Sequence, residues 1–207
     1  MADIKALYER IATELKEKTL QEGKYLGDGI LKVDSFINHQ SHPEIMNHAG
    51  EFVAAYFAEY GITKVLTVET SGIIPAYASA SRLNVPLVFT RKKKPITMKE
   101  DFSESAPSHT KGGIVTLHLS QEMISSSDNI LIVDDFLASG KTIHALAKMI
   151  EQSGASLAGI VTIIEKTFEG GRTLLESNLN IPVIGLIRIS SLNEQGIEFA
   201  EGIGVEF

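Results

Sequence analysis

Two adjacent acids, Asp134 and Asp135, are the residues whose types and setting most strongly suggest chemistry. They follow an apolar run at 130–133 that is typical of a buried strand, and a predicted helix follows them. In open α/β sheets, ligands bind in the crevice outside the carboxyl ends of the strands. We therefore expect both carboxylates at a ligand site, where each can accept hydrogen bonds from hydroxyl groups.

The loop after the two acids has the composition of a phosphate cradle. Small residues and hydroxyls at a helix N-terminus present several backbone N–H groups to an anion. The nucleoside triphosphate loop G-x-x-x-x-G-K-[ST] is excluded, because its first glycine would have to stand at Asp135. Paired acids beside a phosphate loop suit a ligand with a diol next to a phosphate, such as ribose 5-phosphate; the alternative is that the acids only end the strand and cap the turn. The predicted loop consists of Ala138, Ser139, Gly140, Lys141 and Thr142.

Alternating apolar runs and helical segments predict the scaffold that holds these residues. The predicted strands are 64–68, 85–90, 130–133, 160–164 and 183–189, and the predicted helices are 3–18, 43–60, 73–83 and 140–152. Continuous apolar strands separated by helices indicate a parallel sheet covered on both faces. The predicted fold class is α/β, a doubly wound and mostly parallel sheet in a single domain over residues 1–207.

Two segments lie outside that alternation. Residues 1–42 form a small N-terminal segment, here called the hood, with one clear helix and a short strand near 30–33. Residues 91–128 have weak periodicity, and we expect a hairpin that serves as a flexible lid, because long irregular insertions in compact domains are usually functional or disordered. The segment begins with a basic run that includes Arg91 and Lys92, which either neutralises a polyanion or forms a solvated surface.

The overall composition excludes several classes of protein. Hydrophobic residues make up 43% and charged residues 22%, as in globular proteins, and the absence of cysteine excludes a thiolate nucleophile. The 19 basic and 26 acidic residues give a formal charge of −7, which argues against nucleic acid as a partner. The start, MADIKALYER, is too charged for a signal peptide, and no apolar run could span a bilayer. A cytoplasmic protein without a membrane partner is expected.

The segment around the two acids resembles the phosphoribosyl diphosphate motif of the type I phosphoribosyltransferases. The resemblance extends over nearly the whole chain to the bacterial xanthine phosphoribosyltransferases. Its most specific matches are LKVDSFINHQ at 31–40, VETSGIIPA at 68–76, VFTRKKK at 88–94, IVDDFLASG at 132–140 and IEKTFEGGR at 164–172. The motif around the acids indicates only the superfamily, whereas the hood and EKTF segments favour xanthine.

This resemblance implies an activity. Phosphoribosyl diphosphate and xanthine would give xanthosine 5′-monophosphate and pyrophosphate, a reaction of purine salvage. Mg²⁺ would be carried by the donor, with no metal site built from protein side chains alone. The resemblance also implies a homodimer. The alternatives are the same reaction on guanine, hypoxanthine or adenine, and a non-catalytic regulator that senses phosphoribosyl diphosphate.

The resemblance also assigns roles to individual residues. The 5′-phosphate would bind the loop at 138–142. Asp134 and Asp135 would hold the ribose hydroxyls and act as the catalytic pair, because carboxylates stabilise positive charge that develops on the ribose ring. The remaining contacts are Leu31, Asn38 and Lys166 with the purine, and Thr70, Ser71, Arg91 and Lys92 with the pyrophosphate. Lys166 offers only hydrogen-bond donors, so it suits a purine carbonyl better than the amino group of adenine.

Overall fold

Helices and strands alternate along the chain in the computed structural model, which describes residues 2–107 and 113–205. The helices are α1 (Ala2–Glu22), α2 (Pro43–Tyr56), α3 (Ile73–Leu83), α4 (Lys141–Ser153) and α5 (Gly171–Glu176). The strands are β1 (Lys24–Tyr25), β2 (Leu31–Lys32), β3 (Lys64–Val68), β4 (Leu87–Thr90), β5 (Asp101–Pro107), β6 (Ile114–Ser120), β7 (Asn129–Leu137), β8 (Ser156–Lys166), β9 (Val183–Asn193) and β10 (Gly196–Ala200).

A six-stranded sheet in the order β10-β9-β8-β7-β3-β4 forms the centre of the fold. Its first five strands in chain order are parallel, and β10 pairs antiparallel with β9 at one edge. This sheet confirms the predicted α/β class. The strand order reverses between β3 and β7, which is the position where open α/β sheets bind ligands.

Helices cover both faces of the sheet, as the continuous apolar strands predict. Along β7, Ile130 and Ile132 face one core, whereas Leu131 and Val133 face the other, because successive residues of a strand point to opposite faces. Helices α1, α2 and α3 pack on one face, and α4 packs on the other with the β5–β6 hairpin. None of the described helices is long and apolar enough to cross a membrane.

The hood is packed into the core of the domain. After α1, strands β1 and β2 pair antiparallel, and a π-helical turn at Asp34–Asn38 leads toward α2. Leu31, Val33 and Phe36 are buried in the same core as α1 and α2. The sequence predicted the helix and a short strand here, but it missed β1 and the π-helical turn.

Segment 91–128 contains the expected hairpin, formed by β5 and β6. The hairpin is fastened to the end of β4, since Arg91 and His118 exchange backbone hydrogen bonds of 2.9 and 2.8 Å. The carboxylate of Asp101 also pairs with Lys94 and lies 2.7 Å from His118 Nδ1. The base of the hairpin is therefore anchored, and its service as a flexible lid stays a prediction.

Candidate active site

A cleft of about 590 Å³ opens at the carboxyl ends of β3 and β7, where the strand order reverses. It is lined by the hood, the loop after β3, the end of β7, the start of α4, the turn after β8 and the hairpin. The predicted site residues that line it are Leu31, Asn38, Thr70, Ser71, Lys92, Asp134, Asp135, Ala138, Gly140, Thr142 and Lys166. Ser139, Lys141 and Arg91 are not among the lining residues.

The two acids line the cleft and have few hydrogen-bond donors around them. Asp134 is only 4% exposed, and its Oδ1 accepts one long hydrogen bond of 3.4 Å from Thr67 Oγ1. Asp135 Oδ1 accepts a 3.0 Å bond from the backbone N–H of Phe136. Burial raises the pKa of Asp134 well above its usual range, and the charge of Asp135 raises it further. Burial also raises the pKa of Asp135. The pair therefore favours a ligand that brings hydroxyl donors or positive charge.

The phosphate loop is built from backbone held in close contact with a second turn. Gly140 has a φ of +73°, which glycine adopts without strain, and it directly precedes the 13-residue helix α4. A Cβ on Gly140 would lie 2.8 Å from the carbonyl oxygen of Gly171, and one on Gly171 would overlap the carbonyl oxygen of Ala138. The Ser139 hydroxyl is buried without a partner among the described residues, whereas Lys141 is exposed.

The loop after β3 approaches the acid pair closely. Thr70 and Ser71 line the cleft, and the peptide between Glu69 and Thr70 is cis. A Cβ on Gly72 would overlap Asp134 Oδ1 and a neighbouring threonine hydroxyl. The backbone conformation does not require glycine here, since a φ of −66° suits any residue. Glycine is needed at this position because there is no space for a side chain.

Glu69 binds the start of the basic run. Its Oε2 lies 2.7 Å from Arg91 Nε, and its Oε1 accepts a 2.6 Å hydrogen bond from the backbone N–H of Lys92. This pairing holds the Arg91 guanidinium at Glu69. Glu69 and Lys92 line the cleft, whereas Arg91 does not. Sequence reasoning gave Glu69 no role, although its position directly before Thr70 could have suggested one.

The far end of the cleft combines a cation, an aromatic ring and a buried amide. Lys166 Nζ donates to the carbonyl oxygen of Gly29 at 2.8 Å and to Glu169 Oε1 at 3.1 Å. It also lies 5.5 Å from the centroid of the Phe136 ring. Asn38 Oδ1 is buried without a partner among the described residues.

Phe136 and Glu169 line the same end of the cleft and were missed from the sequence. Phe136 directly follows the acids, and Glu169 lies three residues after Lys166. Those positions are the only signals that the sequence offers for them.

The donor set fits a magnesium ion that arrives with a phosphorylated ligand. The carboxylates of Asp134 and Asp135 supply the oxygen ligands that Mg²⁺ prefers, and this ion usually binds through one or two carboxylates plus substrate phosphates. Among the described residues, no group of three or more acids or histidines is arranged to hold a metal ion by itself.

Known proteins resemble this chain in sequence and in structure. Residues 38–178 match the phosphoribosyl transferase domain family. The chain is 44% identical to the xanthine phosphoribosyltransferase of Bacillus licheniformis, over 92% of this chain and 98% of the relative. It is 47% identical to the enzyme of that name from Deinococcus deserti, over 84% and 91%. The crystal structure of adenine phosphoribosyltransferase from Rhodothermus marinus has a TM-score of 0.68 at 27% identity, over 86% of this chain and 99% of that chain.

The fold and the cleft are therefore those of a type I phosphoribosyltransferase, an enzyme that transfers a phosphoribosyl group. Within this class, the chain belongs to the xanthine phosphoribosyltransferase family.

Proposed function

We propose that the enzyme transfers the 5-phosphoribosyl group of phosphoribosyl diphosphate to xanthine, giving xanthosine 5′-monophosphate and pyrophosphate. The observation that carries the proposal is that one cleft brings three kinds of group together. Ala138, Gly140 and Thr142 of the phosphate loop, the acids Asp134 and Asp135, and Lys166 with Asn38 all line it. These groups suit the phosphate, the ribose and the base of a nucleotide.

The acid pair accounts for the chemistry at the ribose. Its carboxylates accept hydrogen bonds from the ribose hydroxyls, which add to the few donors that Asp134 and Asp135 have in the free protein. When the bond to pyrophosphate breaks, positive charge develops on the ribose ring. Carboxylates that are already in place stabilise that charge more than they stabilise the neutral ground state, and this difference lowers the barrier.

The leaving pyrophosphate is received by the loop after β3 and the basic run. Thr70 and Ser71 donate hydroxyl hydrogen bonds, and Lys92 supplies positive charge at the cleft wall. Arg91 joins them if its pairing with Glu69 gives way to the stronger negative charge of pyrophosphate. Bound Mg²⁺ supplies further neutralisation of the leaving group.

The base binds at the end of the cleft that holds Lys166. A xanthine carbonyl accepts a hydrogen bond from its ammonium, the Asn38 amide pairs with the base edge, and Leu31 provides an apolar wall. The ring of Phe136 lines the same end and offers a face for stacking. Adenine suits this site less well, because its amino group would meet an ammonium that can only donate.

The proposal includes a homodimer in the cytoplasm. Ile74 and Tyr77 lie three residues apart on α3 and expose their side chains, Tyr77 to 64%, and Phe89 on the adjacent edge strand β4 is also exposed. Exposed apolar groups placed together favour association with another chain. The charged donor does not cross a bilayer unaided, which supports a reaction inside the cell. Sedimentation of the purified protein tests the dimer.

Pyrophosphate release tests the proposed reaction directly. The enzyme is supplied with phosphoribosyl diphosphate and Mg²⁺, and xanthine, guanine, hypoxanthine and adenine are offered separately. We expect the highest kcat/KM with xanthine. Preference for another purine would contradict the assignment of the base while leaving the transferase reaction intact. Tight donor binding without turnover on any base would favour the regulator, and salt-dependent binding of DNA or RNA would then be the next assay.

A further inference from the structure

The purine end of the cleft holds an ion pair that the proposed reaction does not require. Lys166 Nζ lies 3.1 Å from Glu169 Oε1, and both residues line the cleft. The side chains are 12% and 28% exposed. Their charges act more strongly on a bound base than surface charges would, because the cleft wall excludes part of the water.

The hydrogen bonds of Lys166 fix the direction of its ammonium group. An ammonium has three N–H donors. The carbonyl oxygen of Gly29, in the hood, accepts one of them, and Glu169, on the turn after β8, accepts another. One N–H is left for a carbonyl of the base. The hood and the turn after β8 therefore both fix the position of the ammonium group.

Glu169 also changes the charge that the base experiences. Lys166 alone would favour an anionic base, whereas the Glu169 carboxylate beside it opposes negative charge and makes the pair neutral overall. Among the 6-oxopurines, xanthine loses its first proton closest to neutral pH, whereas guanine stays neutral there. The affinity for xanthine is therefore more sensitive to the local charge than the affinity for guanine.

We infer that Glu169 determines base specificity: by compensating the charge of Lys166, it limits how strongly the cleft favours the xanthine anion over neutral 6-oxopurines. This inference rests on the proposed function, since it requires that xanthine binds beside Lys166. It assigns Glu169 a role separate from the acid pair and from the phosphate loop, which act on the donor.

The variant Glu169→Gln separates charge from shape, because the amide keeps an acceptor oxygen for Lys166 and loses only the negative charge. We expect the ratio of kcat/KM for xanthine to kcat/KM for guanine to rise about three- to tenfold at neutral pH, from the loss of one charge at short range in a partly hydrated site. The ultraviolet spectrum of bound xanthine should show ionisation at a pH lower by about half a unit to one unit.

Two variants serve as controls. Glu169→Asp keeps the charge on a shorter side chain, so its ratio should stay near that of the wild type. Glu176→Gln removes a carboxylate that pairs with Arg172 at 3.0 Å outside the cleft, and it should leave both the ratio and the spectrum unchanged.

The outcomes are distinguishable. A ratio that is unchanged in Glu169→Gln, or equal losses with both bases, would show that Glu169 only supports the turn and would overturn the inference. A wild-type enzyme that uses guanine but not xanthine would overturn the proposed function and, with it, the role of Glu169. A wild type that prefers xanthine, with a raised ratio in Glu169→Gln alone, supports both.

Discussion

Replacing Asp134 with asparagine should stabilise the ligand-free protein while it weakens catalysis. The carboxylate is buried, accepts one hydrogen bond of 3.4 Å and lies next to the carboxylate of Asp135. Leaving a buried polar or charged group with so little compensation costs about 1–3 kcal/mol or more. The amide of Asp134→Asn removes the charge, and its N–H can donate to the carboxylate of Asp135.

The expected gain can be stated as a melting temperature. For a chain of 207 residues, 1 kcal/mol shifts Tm by about 2–4 °C. A gain of about 1–3 kcal/mol therefore raises the Tm of Asp134→Asn by roughly 2–12 °C at neutral pH. Turnover should fall more than tenfold, because removing one preorganised electrostatic group typically costs about 10²–10³ in kcat.

The pH dependence gives the sharper test. Burial raises the pKa of Asp134 in the folded protein above its unfolded value of about 3.9. Its contribution to stability is fully present below the unfolded pKa and is lost as the pH rises through the folded pKa. The advantage of Asp134→Asn should thus be largest at neutral pH and disappear near pH 4.

Thermal unfolding without ligand, followed by circular dichroism at several pH values, measures this difference. A Tm at neutral pH equal to or below that of the wild type would refute the reasoning. So would a gain of the same size at pH 4, because the benefit would then not come from removing a charge.

Further substitutions probe the fold and the cleft. Asp128→Asn should have the opposite effect on stability: burial favours its neutral form, but hydrogen bonds from Lys64 and Ser125 outweigh burial and hold its pKa at about 2. The charged Asp128 contributes about 2 kcal/mol to the stability of the folded protein above pH 3.9, and this contribution is lost as the pH falls through 2. Unfolding in urea at pH 7 should therefore show a lower midpoint concentration for the variant. A midpoint equal to that of the wild type would contradict this prediction. Asp135→Asn should lower turnover more than tenfold without unfolding the chain, and near-normal pyrophosphate release would remove its role at the ribose. Gly72→Ala should raise the KM of the donor severalfold, because the added methyl group overlaps Asp134, and unaltered kinetics would contradict that contact. Lys166→Ala should weaken xanthine use more than donor binding; equal losses in both would place its role elsewhere.

The sequence predicts the central part of the fold and the donor half of the site well. Buried parallel strands such as β7 give continuous apolar runs, and the topology places whatever follows them at the ligand crevice. The sequence alone therefore predicts Asp134, Asp135 and the glycine at 140 as parts of the site. The short strand β1 and the edge strand β10 were missed because they bury little and have weak patterns.

The purine half of the cleft depends on contacts that no local pattern encodes. Lys166 reaches Gly29 across 137 positions of the chain, and this pairing decides which way the ammonium points. Arg91 is similarly directed by Glu69, 22 residues earlier, so a basic run in the sequence does not reveal which of its members faces the cleft. Side-chain direction here is set by tertiary packing.

The close contact between Gly140 and Gly171 joins the phosphate loop to the turn that follows Lys166 and Glu169. A Cβ on either glycine would overlap or press on the main chain of the other segment, so the spacing between the phosphate loop and the turn after Lys166 is set by backbone and not by the rotamer of either residue. A side chain introduced at Gly140 or Gly171 would therefore push apart the segment that receives the phosphate and the segment that follows the residues beside the base.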